Sequence, residues 1–144
     1  MKNFVVIQFG SRMNYAIPRI LFKNGYLIQF YTDFLINNFF FTFLKKIQKY
    51  LLPNFIIRLT SRYCHEIPRD IITTFPTISF AFIFRKLFSK GYSNKILYLN
   101  LWSAKLFANG IIKNGLKGAK YIYLQRNDSL EILREAKKKK FLQF

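Results

Sequence analysis

The stretch Phe4–Phe34 constrains the fold of this chain more than any other part of the sequence. It begins with a short apolar, β-branched run and breaks at Gly10 into a polar turn, after which apolar residues recur with helical spacing. The helical pattern stops at Asn24-Gly25, and a second apolar run covers Leu27–Tyr31. This order predicts a buried strand, a turn, a helix and a second strand, which together form the first unit of a parallel α/β sheet.

The turn after the first strand is the best candidate for a binding site. Ligands of parallel sheets bind outside the carboxyl ends of the strands, which is where Gly10, Ser11 and Arg12 fall. Backbone N–H groups near a helix start, together with a guanidinium, suit a phosphate or sugar hydroxyls. Tyr15 either packs beneath the turn or lines the cleft. A single glycine is not a dinucleotide fingerprint, so NAD binding is not indicated.

Two further residues follow predicted strands and are included in the candidate site. Asp33 comes directly after the second strand, where it either contacts a ligand or caps the next helix. Asn127 follows the short apolar run Tyr121–Leu124 and is expected at the same edge of the sheet. Asn14 is the expected amino-terminal cap of the first helix, and Gly25 is expected to end it.

The first part of the chain also carries a family resemblance. The string FGSRMNYAIPRILFKNGYLIQFYTD resembles the amino-terminal end of the bacterial glycosyltransferases of family 4. Chains of that family often contain a turn and helix of the form GAR-x-x-Y-A-x-P-R-x-L, followed by L-x-x-F-Y-T-D. A weaker similarity runs from Asn109-Gly110 to Ala136. The matching positions of the first motif are Gly10, Arg12, Tyr15, Ala16, Pro18, Arg19, Leu21, Leu27, Phe30, Tyr31, Thr32 and Asp33.

The resemblance implies a Rossmann-like parallel sheet with a helix-rich middle segment. Residues 1–144 would be the acceptor-side domain of the two-domain GT-B fold, an incomplete single domain. The family's enzymes transfer a sugar from a nucleotide-sugar donor to a lipid-linked or polysaccharide acceptor. The donor binds mostly in the second domain, and metals and other cofactors are not generally required. The partners implied are thus a glycolipid or saccharide acceptor, with the donor held only through a second domain.

The end of the sequence departs from the family pattern. No glycine-rich donor loop and no paired-glutamate motif follows Leu124, and Phe141–Phe144 has the character of a new strand. An apolar strand without its covering helix is an unfavourable way to end a sheet. We therefore expect the domain to be truncated before its last strands and the donor domain, and the chain alone to lack transferase activity.

The remaining elements are predicted from periodicity and punctuation. Helices are expected over Phe40–Leu51 and Leu130–Lys139, and a longer helix from Asn94 to Asn114. The aromatic run Ser79–Leu87 suits either a helix or a strand, and a helix is favoured. That longer helix is expected to turn Leu97, Leu101, Ala104, Ala108, Ile111 and Ile112 inward. Tyr63–Thr77, which contains two prolines, is expected to form short helices and loops.

The charge of the chain favours an anionic partner. Twenty-four Lys and Arg residues stand against six acids, giving a net charge of +18, while 51% of the residues are hydrophobic and 19% aromatic. Basic residues flank apolar blocks such as Phe82–Lys90, a pattern typical of proteins at membrane surfaces. A compositional bias toward Lys, Asn, Ile and Phe explains the charge equally well. Nucleic acid is the least favoured partner because the cations are not clustered with small polar residues.

Two alternatives therefore remain open from the sequence: a transferase domain, or a small basic membrane-surface binding protein without catalysis. No stretch of about 20 uninterrupted apolar residues and no signal peptide is present, so we expect a cytoplasmic protein, peripheral at most on the inner membrane face. One cysteine, Cys64, excludes an internal disulfide. His65 is expected to be structural, since a zinc site needs three or four ligands.

Overall fold

The computed structural model describes residues 3–36, 62–87, 93–125, 130–138 and 142–143, with the single positions Thr42 and Lys46. The predicted helix Phe40–Leu51 lies outside these ranges, apart from those two positions. Five strands form one sheet: β1 (Phe4–Gln8), β2 (Leu27–Thr32), β3 (Ile72–Thr74), β4 (Tyr121–Leu124) and β5 (Leu142–Gln143). Four described α-helices accompany them: α1 (Ala16–Lys23), α2 (Pro76–Leu87), α3 (Ser93–Asn114) and α4 (Leu130–Lys138).

Every strand pairing in this sheet is parallel, and the strand order is β3-β2-β1-β4-β5. In the central register, Val6 lies opposite Phe30 of β2, and Ile7 lies opposite Leu124 of β4. This is the strand order of a doubly wound, Rossmann-like sheet. The chain moves outward from β1 in one direction and then returns to its other side, so the order reverses between β1 and β4.

Hydrophobic clusters cover both faces of the sheet. On one face Val5, Ile7 and Tyr31 pack against Phe107 and Ile111 of α3, with Ile132 and Ala136 of α4 completing the cluster. On the other face Val6 and Phe30 pack against Tyr15, Ile67 and the apolar side of α1. Burial of β1 from both sides explains its continuous apolar sequence, because a strand covered on two faces does not alternate.

Glycine is required at two positions, one because of its backbone conformation and one because of close packing. Gly25, at φ +72°, follows α1, and its N–H donates to the Phe22 carbonyl at 2.9 Å, so this predicted helix end is confirmed. Gly110 lies in α3 directly beneath the Phe75 ring, where a Cβ atom would stand 2.6 Å from a ring carbon. A side chain at position 110 would therefore push α3 away from the start of α2.

Two predictions about the middle of the chain were wrong. Residues 72–74 form β3, whereas only helices and loops were expected over Tyr63–Thr77. The strand is three residues long and lies between two prolines, so its sequence carries only a weak strand pattern. Leu97 and Leu101 were expected to face inward but are exposed. The cause is the length of α3, which at 22 residues is about 33 Å long, roughly twice the span of β1.

Candidate functional site

The candidate ligand-binding residues lie at the carboxyl edge of the sheet. Outside β1 lies the turn Phe9–Arg12, outside β2 lies Asp33, and outside β4 lies Gln125. The strand order reverses between β1 and β4, and crevices at such reversals hold ligands in open α/β sheets. The predicted residues Gly10, Ser11, Arg12, Tyr15 and Asp33 all belong to this edge or to the layer beneath it.

The turn after β1 is held by a glutamine that the sequence reading did not single out. Gln8, only 1% exposed, donates from Nε2 to the carbonyl of Gly10 at 3.1 Å and to that of Arg12 at 2.8 Å. Gly10 adopts φ +84°, a left-handed conformation that glycine tolerates best. A signal for Gln8 does exist in the sequence, since it is a polar residue within the buried run Phe4–Phe9.

The Asp33 carboxylate holds the same turn from the neighbouring strand. It is 1% exposed; Oδ1 accepts from the Gly10 N–H at 2.8 Å, and Oδ2 accepts from Ser79 Oγ at 3.1 Å. Arg62 forms an ion pair with Oδ2 at 2.5 Å. All of these partners are groups of the protein itself, so Asp33 organises the edge and does not present its carboxylate to an incoming ligand.

The backbone between the turn and α1 is left-handed at three successive residues. Met13, Asn14 and Tyr15 have φ values of 51°, 47° and 58°. The predicted cap at Asn14 was therefore wrong: Tyr15 occupies the N-cap position, and its side chain makes no capping hydrogen bond. A run of left-handed non-glycine residues costs about 1–2 kcal/mol per residue and needs support from its surroundings.

Tyr15 supplies much of that support. Its side chain is fully buried and meets Phe30 edge-to-face at a centroid distance of 5.5 Å. Burial raises the pKa of the phenol, and the nearby Asp33 carboxylate adds to the increase. Of the two placements expected for Tyr15, the structure shows the one beneath the turn, so this residue supports the site from below.

Arg12 differs from the other residues of the turn because its side chain is exposed. Within the described part of the chain, no hydrogen bond or ion pair of its guanidinium is found. Ser11 beside it is half-buried, and Met13 is 73% exposed. The outer surface of the turn therefore offers a guanidinium next to an apolar side chain, over a backbone that is hydrogen-bonded to Gln8 and Asp33. Such a surface can bind an anion that carries an apolar group.

The β4 side of the crevice is described only in part. Asn127, the sixth predicted site residue, lies outside the described residues. Gln125 directly follows β4; its backbone N–H donates to the Ile7 carbonyl at 3.2 Å. Its Oε1 atom is buried and has no hydrogen-bond partner among the described residues. A buried acceptor without a donor is costly, so this atom is a candidate to receive a hydrogen bond from a ligand or a water molecule.

The other chemically notable residues form a strap, residues 62–69, on the α1 side of the sheet. Glu66 pairs with Arg19 and, at 3.2 Å, with Lys23, both on α1. His65 stacks on Tyr63 at a centroid distance of 5.7 Å, and burial raises the pKa of Cys64. Over the described residues no cluster of three or more His, Cys, Asp or Glu side chains could hold a metal. The strap is thus connected to α1 through the ion pairs of Glu66.

Sequence reasoning found Gly10 and Asp33 but missed their partners. Arg62 and Ser79 lie 29 and 46 positions from Asp33, and no local pattern links them to it. Comparison with known proteins adds no further assignment: no family model, no curated protein and no solved structure matches this chain. The function is therefore inferred from the geometry of the carboxyl edge and from the motif residues that build it.

Proposed function

We propose that this chain is the acceptor-side domain of a glycosyltransferase of the two-domain GT-B type, similar to family 4. The complete enzyme would move a sugar from a nucleotide donor to a lipid-linked or polysaccharide acceptor. The acceptor would bind at the carboxyl edge, against the turn Gly10–Arg12. Transfer would also need a donor-binding domain, so we expect the 144 residues alone to bind acceptor without turnover.

The exposed Arg12 side chain is the observation that carries this proposal. Among the residues that resemble the family motif, Gly10 accommodates the left-handed turn, Tyr15 fills the layer beneath it and Asp33 accepts from its backbone. Each of these has a structural role. The Arg12 side chain has none in the described contacts, yet it stands on the outer surface of the same turn. A binding role accounts for an arginine at this position.

The chemistry at this edge suits recognition better than bond cleavage. A guanidinium binds phosphate oxygens with two parallel hydrogen bonds, and Met13 can cover the apolar part of a lipid-linked acceptor. Among the described residues of the edge there is no pair of free carboxylates, because Asp33 is engaged by Gly10, Arg62 and Ser79. The proposal therefore assigns the groups at this edge to acceptor binding alone.

Isothermal titration with three soluble probes tests this assignment. The probes are octyl glucosyl phosphate, octyl glucoside and octyl phosphate, each below its micelle concentration. The proposal predicts saturable binding of the sugar phosphate, weaker binding of the two partial probes, and at least a tenfold loss of affinity for Arg12→Ala. Arg134→Ala, an exposed arginine on α4, serves as the matched control. Equal affinity of the wild type and Arg12→Ala would remove Arg12 from the site.

A second candidate function is a membrane-surface binding protein without catalysis. The observation that favours it is the combination of a net charge of +18 with large apolar side chains exposed on α2 and α3. None of the described helices has the length and apolar character needed to cross a bilayer. Association with an anionic membrane surface is compatible with both functions, and we propose it for either. If the protein does not bind the sugar phosphate at all, only the membrane-surface binding protein remains as a candidate.

A further inference from the structure

The helices α2 and α3 form a hairpin that extends past the carboxyl edge of the sheet. The first turn of α2 is fixed at that edge, where Ser79 Oγ donates to Asp33. In α3 the fully buried residues begin at Ser103, and none of residues 94–102 is fully buried. We call α2 together with residues 93–102 of α3 the α2–α3 hairpin.

This hairpin carries six of the eleven large apolar residues that are exposed in the described part of the chain. Tyr98 is 72% exposed and Phe84 is 63% exposed, and neighbouring apolar side chains are exposed to a similar extent. Single exposed apolar residues are ordinary, but a group of them on two packed helices marks an interaction surface. The group consists of Phe80, Ile83, Phe84, Leu97, Tyr98 and Leu101.

The charged residues within the helical segment that contains the hairpin are all of one sign. Residues 76–114 contain six Lys and Arg residues and no Asp or Glu. Arg85, Lys86 and Lys95 are exposed on the hairpin itself, and the Arg85 guanidinium lies over the Trp102 ring at 4.2 Å. A surface that combines aromatic and aliphatic side chains with cations alone is complementary to anionic lipid headgroups over a hydrocarbon layer.

We infer that the α2–α3 hairpin docks on a bilayer that contains anionic lipids, inserting its apolar side chains at the headgroup level. The inference rests on the membrane association proposed above and assigns it to this surface. A second copy of the chain is a poorer occupant, because it would bring the same cations against one another.

The position of the hairpin gives this docking a consequence for the candidate site. The hairpin leaves the sheet at the carboxyl edge. There the Asp33 carboxylate accepts hydrogen bonds from Ser79 of the hairpin and from the Gly10 N–H of the turn. Docking through the hairpin would therefore place the Gly10–Arg12 turn on the membrane-facing side of the domain. A lipid-linked acceptor would then reach the turn without leaving the bilayer.

Vesicle co-sedimentation of the full chain tests the location. Vesicles of phosphatidylcholine alone are compared with vesicles that contain about 30% phosphatidylglycerol, at low and at physiological salt. The apolar variant is Phe84→Gln/Leu101→Gln, and its control is Ile20→Gln/Leu130→Gln, two residues of similar exposure on other helices. The charge variant is Arg85→Gln/Lys86→Gln, with the exposed pair Lys117→Gln/Lys120→Gln as control. Circular dichroism verifies that each variant is folded.

The expected result is binding of the wild type to the anionic vesicles only. Each hairpin variant should weaken that binding about tenfold or more, and each control less than threefold. No binding by the wild type would overturn membrane association as a whole. Binding that survives both hairpin variants, or falls equally in the controls, would overturn the location. If the free protein forms a dimer and Phe84→Gln/Leu101→Gln dissociates it, the surface serves self-association. That result would reject the inference. None of these outcomes depends on sugar-phosphate binding.

Discussion

The Asp33 carboxylate accepts a hydrogen bond from the Gly10 N–H at 2.8 Å, joining the ends of two neighbouring parallel strands. Arg62 and Ser79 bind the other oxygen of the same carboxylate. One buried side chain thus connects the turn after β1, the strap and the start of α2. The carboxyl edge is organised around this group, so its removal should destabilise the turn, the strap and the start of α2.

Asp33→Asn should lower the free energy of unfolding by about 3 kcal/mol, since it leaves the partly buried Arg62 without its counter-charge. Urea denaturation measures the change. Asp70→Asn, which alters an exposed carboxylate, is the control and should change stability by less than about 0.5 kcal/mol. A value for Asp33→Asn as small as that of the control would mean that the ion pair does not hold the edge.

Gln8→Met should loosen the turn without removing the strand beneath it. The substitution keeps the length of the side chain but deletes both hydrogen bonds to the Gly10 and Arg12 carbonyls, a loss of about 1–3 kcal/mol. Amide hydrogen exchange should accelerate at Ser11–Asn14. Gln29→Met removes one hydrogen bond, to Thr73 on β3, and should leave exchange at the turn unaltered. Equal exchange in both variants would contradict the role of Gln8.

Gly110→Ala should destabilise the protein although alanine is the better helix former. The new methyl group would meet the Phe75 ring, which Tyr31 and Phe107 hold in place. Overpacking of about 1–3 kcal/mol should exceed the gain in helix propensity of about 1 kcal/mol. Thermal unfolding is the readout, with Asn109→Ala on the exposed side of α3 as control. Adding Phe75→Leu should recover part of the loss; an unchanged or stabilised Gly110→Ala would refute the close packing.

Glu66 should make stability depend on pH in the acid range. The hydrogen bond from Arg19, with a further contribution from Lys23, lowers the pKa of the Glu66 carboxyl below its ordinary value of 4.5, against the opposing effect of its partial burial. A carboxyl whose pKa is lower in the folded state stabilises the fold above its unfolded pKa, and this contribution disappears as the pH falls through the folded pKa. Wild type should therefore exceed Glu66→Gln in urea midpoint at pH 6–7, and the difference should shrink below pH 4. A difference that does not vary with pH would exclude the ion pairs as its source.

The local parts of the fold could be predicted from the sequence. β1, α1 and β2 follow from an apolar run, helical spacing and Asn24-Gly25, because each signal lies within a few residues of the element it defines. The predicted helix Ser79–Leu87 is confirmed within α2, which begins at Pro76, and the predicted strand Tyr121–Leu124 is confirmed as β4. The parallel α/β class followed from the order of these elements.

The features that depend on distant contacts could not be predicted. β3 is stabilised by pairing with β2 and has no strong pattern of its own. The exposure of Leu97 and Leu101 reflects where the sheet ends beneath α3, which periodicity does not reveal. In the same way, the left-handed turn at Met13–Tyr15 is supported by the buried Tyr15 ring and its contact with Phe30, not by the turn sequence.

Acceptor binding at the turn after β1 is tested by a backbone amide NMR titration of the full chain with octyl glucosyl phosphate. We expect saturable shifts of the Ser11, Arg12 and Gln125 amides, and we expect Arg12→Ala to abolish them while the spectrum of the rest of the sheet is retained. UDP-glucose, a donor, should leave these amides unperturbed. Saturable shifts elsewhere with none at the turn, or shifts at the turn that persist in Arg12→Ala, would contradict the proposed site.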